Sequence, residues 1–283
     1  GSSIAVSGPN NSVVLWHAEK GTQPSIEDVH TDIIVDVAFS PNGRYVVTAS
    51  QDRTAAIWDN EKKKKIRTIP KQSSQINGVA FLPNGSGIVT CSNHGEAIVW
   101  DLQSGSKVLF KVDHPLTSVA VSSDGLIACG GGVRHRYGRV YLWEIEQDSF
   151  TKVEPLEHPD RVRCLAFSPS GRFLAVGDYR SARLWDCDAY DFNTLRAGHA
   201  VSAICFTQDG NTLATTGGVQ VKLWHVASSD EMGTIETGEE LEGVAFFESG
   251  MVTASEEGNV QIWPIADSEA VKEFTESYHP TRL

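Results

Sequence analysis

Val37-Ala38-Phe39-Ser40-Pro41-Asn42-Gly43-Arg44-Tyr45-Val46-Val47-Thr48-Ala49-Ser50-Gln51-Asp52-Arg53-Thr54-Ala55-Ala56-Ile57-Trp58-Asp59 holds one complete run of three β segments. It opens on an apolar-small-apolar triplet, reverses at Pro41-Asn42-Gly43, and runs through Tyr45-Val46-Val47-Thr48-Ala49-Ser50 to a closing tryptophan. Proline presets one turn dihedral and glycine supplies a positive φ, so the chain turns back on itself there. The runs are short, β-rich and bounded by turn residues, which favours strands over helices. Outward from this segment the unit recurs. Trp16, Trp58, Trp100, Trp143, Trp185, Trp224 and Trp263 are 42, 42, 43, 42, 39 and 39 residues apart, and each follows an aliphatic residue. Triplets equivalent to Val37-Ala38-Phe39 precede five more of them, at Val79-Ala80-Phe81, Val119-Ala120-Val121, Leu165-Ala166-Phe167, Ile204-Cys205-Phe206 and Val244-Ala245-Phe246. A fixed period of this kind marks an array of small β units, none of which can bury its faces alone.

With these residues in view, the chain resembles the WD40-repeat β-propeller family over nearly its whole length. The closing Trp-Asp pair is intact at Trp58-Asp59, Trp100-Asp101 and Trp185-Asp186, and altered at Trp16-His17, Trp143-Glu144, Trp224-His225 and Trp263-Pro264. The opening Gly-His is complete at Gly198-His199, while His30, His114 and His158 keep the histidine. The resemblance implies an all-β fold: a seven-bladed β-propeller of four-stranded antiparallel blades, with residues 1–283 forming a single domain. It also implies a structural hydrogen-bond network in the second repeat from His30, Ser50, Asp52 and Trp58. At the Asp52 position the third repeat has His94, the sixth Gly218 and the seventh Glu257, so several blades are expected to be held mainly by packing.

Seven tryptophans against six first-strand triplets leave the array one strand short. Ile4-Ala5-Val6 aligns with a second strand, so the first repeat begins midway. At the other end, His279-Pro280-Thr281-Arg282-Leu283 resembles His158-Pro159-Asp160-Arg161-Val162, which directly precedes a first strand; the chain is expected to stop where the missing strand would start. Three explanations are open: excision from a longer protein, a three-stranded first blade, or a strand donated by a partner. Excision is favoured, because an open inner edge exposes unpaired backbone.

Charge and cysteine content narrow the function classes. The formal net charge is −12, from 24 Lys and Arg against 36 Asp and Glu, which argues against general nucleic-acid binding. Lys62-Lys63-Lys64-Lys65 goes against that trend. It falls in the connection to an outer strand, where a solvated edge is the expected role, with nucleic acid or anionic lipid as alternatives. Cys91, Cys129, Cys164, Cys187 and Cys205 contain no C-x-x-C pair and read as reduced residues of an intracellular protein, cytoplasmic or nuclear. Neither a metal site nor a cofactor is indicated, the sequence lacks an apolar run long enough to span a membrane, and Gly1-Ser2-Ser3 does not resemble a signal peptide.

The fourth repeat carries an insertion. From Cys91 to Trp100 is nine steps and from Cys129 to Trp143 is fourteen; the five extra residues lie within Gly130-Gly131-Gly132-Val133-Arg134-His135-Arg136-Tyr137-Gly138-Arg139. In WD40-like propellers this hairpin opens on the face that usually holds partners. Guanidinium forks suit carboxylate or phosphate, and tyrosine adds rigid contact area, so Arg134, His135, Arg136, Tyr137 and Arg139 are candidate partner-binding residues. The competing reading is a long hairpin whose arginines pair with the protein's own acids. A second candidate surface is the variable position two residues before each triplet: Val35, Asn77, Thr117, Arg163, Ser202 and Glu242, of which Asn77, Arg163 and Glu242 are candidate partner-binding residues; the competing reading is a set of half-exposed strand starts.

The function expected is a protein-interaction scaffold, a monomer that binds a peptide or domain on the inter-blade face, with an acidic or phosphorylated partner segment as the expected ligand. An alternative is a regulatory propeller module of a larger multidomain protein reading such a segment. A propeller enzyme is the least favoured alternative, because no nucleophile elbow, glycine-rich phosphate loop or paired acids recur at equivalent positions.

Overall fold

A computed structural model describes residues 3–8, 11–17, 21–22, 30–105, 107–146, 149–152, 155–247, 250–264 and 281–282. These form antiparallel β-sheets joined by turns, with no α-helix among the described residues and none long and apolar enough to cross a membrane. The expected seven four-stranded blades are corrected to six. Repeats 2 to 7 each build a sheet of at least four strands, whereas Ser3–Gly8, Ser12–His17 and Gly21–Thr22 form a sheet of three. The tryptophan count overstates the blades because each Trp marks only a third strand, and among the described residues Ser3–Gly8 pairs with Ser12–His17 alone. The C-terminal expectation is corrected as well. Thr281 pairs with Ile262 and Arg282 with Gln261, so this segment lies outside Val260–Pro264 as the fourth strand of the repeat-7 sheet. His279, Pro280 and Leu283 lie outside the described residues.

Two compact units are distinguished, Ser3–Val162 and a second one that begins at Arg163. In the first, the second strands Tyr45–Ser50 and Gly87–Ser92 are buried almost throughout, while the outer strands Lys64–Ile69 and Lys107–Lys111 are mostly exposed. A second strand has blade on both faces, so it reads as a continuous apolar run. Its core joins neighbouring blades: Val47, Ile57 and Ile69 of repeat 2 pack with Ile76, Val79, Ile88 and Trp100 of repeat 3. In the second unit, Leu184, Leu195 and Val201 pack with Leu213 and Trp224, and Leu223 and Ile235 with Met251 and Trp263. Each such aliphatic contributes roughly 1.5–3 kcal/mol of transfer free energy when buried.

Buried polar groups tie the blades internally. In repeat 2 the Trp58 indole N–H donates to Thr48 Oγ1 at 3.3 Å, Thr48 Oγ1 lies 2.8 Å from His30 Nε2, and His30 Nδ1 lies 2.9 Å from Asp52 Oδ2. Since Asp52 only accepts, the proton sits on His30 Nδ1 and the chain of donation runs from Trp58 through Thr48 to His30, and from His30 to Asp52. Burial holds the His30 imidazole below its usual range, against the opposing pull of Asp52, so the contact is a hydrogen bond of a neutral histidine rather than an ion pair. Ser50 is not the link expected of it. Its hydroxyl donates to the Asp32 carbonyl at 3.0 Å and accepts the Asp52 N–H at 3.0 Å, closing the hairpin. Thr48 is the residue that the sequence reading missed. Thr90, Thr215 and Thr253 take the indole N–H of Trp100, Trp224 and Trp263 in the same way, at 3.2, 2.9 and 3.0 Å.

Candidate functional site

The insertion in repeat 4 extends a regular hairpin. Ile127–Val133 pairs with Tyr137–Glu146 out to Val133 opposite Tyr137, leaving Arg134-His135-Arg136 as the turn, with His135 at φ +61°. Two glycines are fixed by close approach. A Cβ at Gly131 would stand 2.1 Å from the Pro115 carbonyl oxygen, and one at Gly138 would stand 2.0 Å from that of Asp160. The hairpin is thus wedged between the segments that lead into the blades of repeats 4 and 5. Its tip is tied down by Asp160, which is fully buried: Asp160 Oδ1 accepts the N–H of His135 at 2.7 Å and of Arg161 at 2.8 Å, and Oδ2 lies 3.6 Å from His135 Nδ1.

This geometry divides the candidate residues. Arg139 is used internally: its Nε donates to Glu157 Oε1 at 2.9 Å and its guanidinium lies 5.1 Å from the centre of the Tyr137 ring. That hydrogen bond to Glu157, with a further one to Tyr141, raises the Arg139 pKa above its already high value. Tyr137 is half-buried, set edge-on against His114 with ring centres 5.8 Å apart, and Tyr141 bonds His114 Nε2 through its hydroxyl at 2.9 Å. Arg134, His135 and Arg136 are exposed, and Arg136 makes no ion pair among the described residues. The alternative of internal pairing therefore holds for Arg139 and not for Arg136.

The second candidate series has a structural explanation. The ladders skip a residue at Val35, Asn77, Thr117 and Glu242, so these are β-bulge positions, where a side chain leaves the pleat and is re-aimed. Asn77 Nδ2 donates to the Leu116 carbonyl at 2.7 Å, and Thr117 Oγ1 to the Val162 carbonyl at 2.6 Å, each reaching the first strand of the next blade. Ser202 does the same to Leu241 at 2.7 Å in the second unit. Beside the first bulge, Asp36 accepts the N–H groups of Val37 and Val79, each at 2.8 Å, and burial pushes its carboxyl up to about 6. Asn77 is thus occupied by blade packing. Arg163 and Glu242 face each other: Arg163 Nη2 is 3.9 Å from Glu242 Oε2, and its guanidinium is 5.1 Å from the Tyr179 ring centre. None of the five cysteines forms a disulfide, and burial raises the thiols of Cys91, Cys129, Cys164 and Cys205, which makes them inert packing groups.

Against known proteins, the family model described as WD domain, G-beta repeat matches residues 22–59, 63–101, 151–186 and 192–225, more than half of the chain. The chain belongs to the WD40 repeat family. The unmatched stretch between the second and third matches contains the repeat-4 insertion. The transcriptional corepressor LEUNIG_HOMOLOG of Arabidopsis thaliana is 24% identical over 236 residues, which cover 81% of this chain and 24% of that protein. Periodic tryptophan protein 2 of the same plant is 24% identical over 247 residues, 85% of this chain and 22% of that protein. A probable cytosolic iron-sulfur protein assembly protein, Ciao1 of Culex quinquefasciatus, is 41% identical over 61 residues, 20% of this chain and 18% of its own length. The chain thus spans about a quarter of the length of the two long-matching relatives.

Proposed function

We propose that this WD40 chain is a protein-interaction scaffold and that the repeat-4 hairpin tip holds an acidic or phosphorylated segment of its partner. The observation that carries the reading is the pairing of two exposed arginines, Arg134 and Arg136, with a turn fastened beneath them to the buried Asp160. A fixed turn loses little conformational freedom on binding, and guanidinium offers carboxylate or phosphate a two-pronged contact. The chain's acidity works in the same direction, because a cationic tip on an acidic body draws an acidic segment to one place. Relatives named as a corepressor and as an assembly protein favour an interaction role over catalysis. Their greater length favours a module that serves a larger polypeptide.

The test begins with capture of a partner by the wild-type chain, followed by calorimetry of the captured segment, phosphorylated and unphosphorylated, against Arg134→Ala/Arg136→Ala. The double variant should lose at least about tenfold in affinity, roughly 1.4 kcal/mol, with an unchanged melting temperature. Equal affinity of variant and wild type sinks the reading.

A further inference from the structure

The outer strand of each blade is the last strand of its sheet, so one row of its backbone N–H and C=O groups has no partner strand among the described residues. These edges differ. In repeat 2, Lys64–Ile69 is blunted: the ladder skips Ile66, and Lys64, Lys65 and Arg67 crowd the strand. A bulge and lysines are the usual protection against strand addition. In repeat 3, Lys107–Lys111 has no bulge, and its lysines stand only at the two ends. It pairs with Glu96–Asp101 residue for residue, from Glu96 opposite Lys111 to Trp100 opposite Lys107, without a bulge. Its centre presents Val108 and Leu109, 42% and 51% exposed, between a lysine at each end. Arg67 of the neighbouring blade donates to the Leu102 carbonyl in the turn that leads into this strand, which brings the basic repeat-2 edge alongside its start. The outer strands of repeats 5 and 6, Asp191–Leu195 and Glu231–Glu236, carry acids instead of this cationic framing.

From this contrast we infer that the repeat-3 edge, Lys107–Lys111, is a second interaction surface that takes an extended polypeptide segment by strand addition, with an aliphatic centre and acidic flanks. The open backbone row supplies the hydrogen bonds, Val108 and Leu109 supply apolar contact, and Lys107 and Lys111 select the charge of the flanks. Lys111 already pairs with Glu96 at 3.0 Å and Lys107 lies 5.3 Å from the Trp100 ring centre, so both ammonium groups are held near the edge. Nucleic acid fits less well. Trp58 and Trp100, the aromatic rings beneath Lys65 and Lys107, are buried at 4% and 6% exposure and offer no face on which a base could stack. The surface is distinct from the repeat-4 hairpin, and the two readings stand or fall separately.

Fluorescence anisotropy with labelled synthetic peptides tests it. One peptide has a centre of alternating Val and Thr and Asp at both ends; a second has the same centre with Lys ends; a third has the Asp ends with Pro in the centre, which cannot pair as a strand. The wild-type chain should bind the first at least about tenfold more tightly than either of the others. Val108→Lys/Leu109→Lys should lose that binding without a change in unfolding midpoint, since both side chains are exposed. Lys107→Glu/Lys111→Glu should reverse the preference toward the Lys-ended peptide, and Arg134→Ala/Arg136→Ala should leave it unchanged. Hydrogen exchange should slow at residues 107–111 in the complex. Equal binding of the first and third peptides, tighter binding of single-stranded RNA or anionic vesicles, self-association of the wild-type chain abolished by Val108→Lys/Leu109→Lys, or no binding of any peptide at about 1 mM would each overturn the inference.

Discussion

Repeats 2 and 6 both retain the opening histidine, and only one of them puts it to use. In repeat 2, Trp58, Thr48, His30 and Asp52 form a continuous chain in which each of these groups has a partner. In repeat 6 the Trp224 indole N–H still donates to Thr215, at 2.9 Å, but the hairpin has contracted to the two-residue turn Gly218-Val219 and no carboxylate stands at the Asp52 position. His199 Nδ1 lies 3.3 Å from the Ala200 carbonyl, and its Nε2 is buried with no hydrogen-bond partner among the described residues. A Cβ at Gly217 would stand 2.0 Å from the Ala200 oxygen and 2.2 Å from His199 Nδ1, so the histidine fills the space the longer hairpin would occupy. The tryptophans are equally buried, at 4% and 3% exposure. The Trp–Thr bond and the packing around it therefore recur, while the His–Asp half is dispensable. Repeat 3 supports this, because Gln72 replaces the histidine there and its Nε2 donates to Thr90 at 2.9 Å.

If packing dominates, Trp58→Ala and Trp224→Ala should cost about the same, roughly 3–5 kcal/mol each by chemical denaturation, through the cavities they leave. A difference of more than about 2 kcal/mol in favour of repeat 2 would show that its polar chain, rather than burial, carries the blade. The threonines should separate the two repeats. Thr48→Val deprives both the Trp58 indole and His30 Nε2 of their partner and is expected to cost about 2–3 kcal/mol, whereas Thr215→Val strands only the Trp224 indole and should cost about 1 kcal/mol. Equal losses would break the comparison.

The smallest effect is one of pH. Burial keeps the folded His30 from protonating at its ordinary value, so the unfolded chain takes up a proton first as pH falls. The stability His30 contributes is complete above the unfolded value of about 6.5 and is lost as pH drops below it. His30→Gln, patterned on Gln72, removes the titration and should flatten that part of the profile. Unfolding midpoints measured between about pH 5 and 7 check this, and an unchanged slope would remove His30 from the account.

The repeat-4 hairpin shows where the reading of residues stops. Its length and its arginines were legible from the spacing between Cys129 and Trp143. Nothing in the sequence distinguished Arg139 from Arg136, because the carboxylate that takes Arg139 is Glu157, on the short strand Leu156–His158 that pairs beside it. The buried Asp160 is likewise a distant residue that becomes the anchor only once the hairpin is wedged between blades. The variable series before each triplet was visible as variation, but a bulge is a property of the pairing of two strands and cannot be seen in one of them.

By itself, the sequence determined what depends on neighbours along the chain: the β character of the segments, the turns at Pro41-Asn42-Gly43 and its counterparts, the period, and hence the WD40 family. These follow from dihedral preference and alternating or continuous apolarity, both of which are local. The tertiary structure decided what depends on pairing across the chain. It reduced seven tryptophans to six complete blades, made Thr48 rather than Ser50 the link to Trp58, placed Thr281–Arg282 on an outer edge, and assigned Arg139 to Glu157 while leaving Arg136 exposed. Hydrogen bonds and ion pairs act over a few ångströms of space, and residues far apart in sequence come that close only when the sheets have formed.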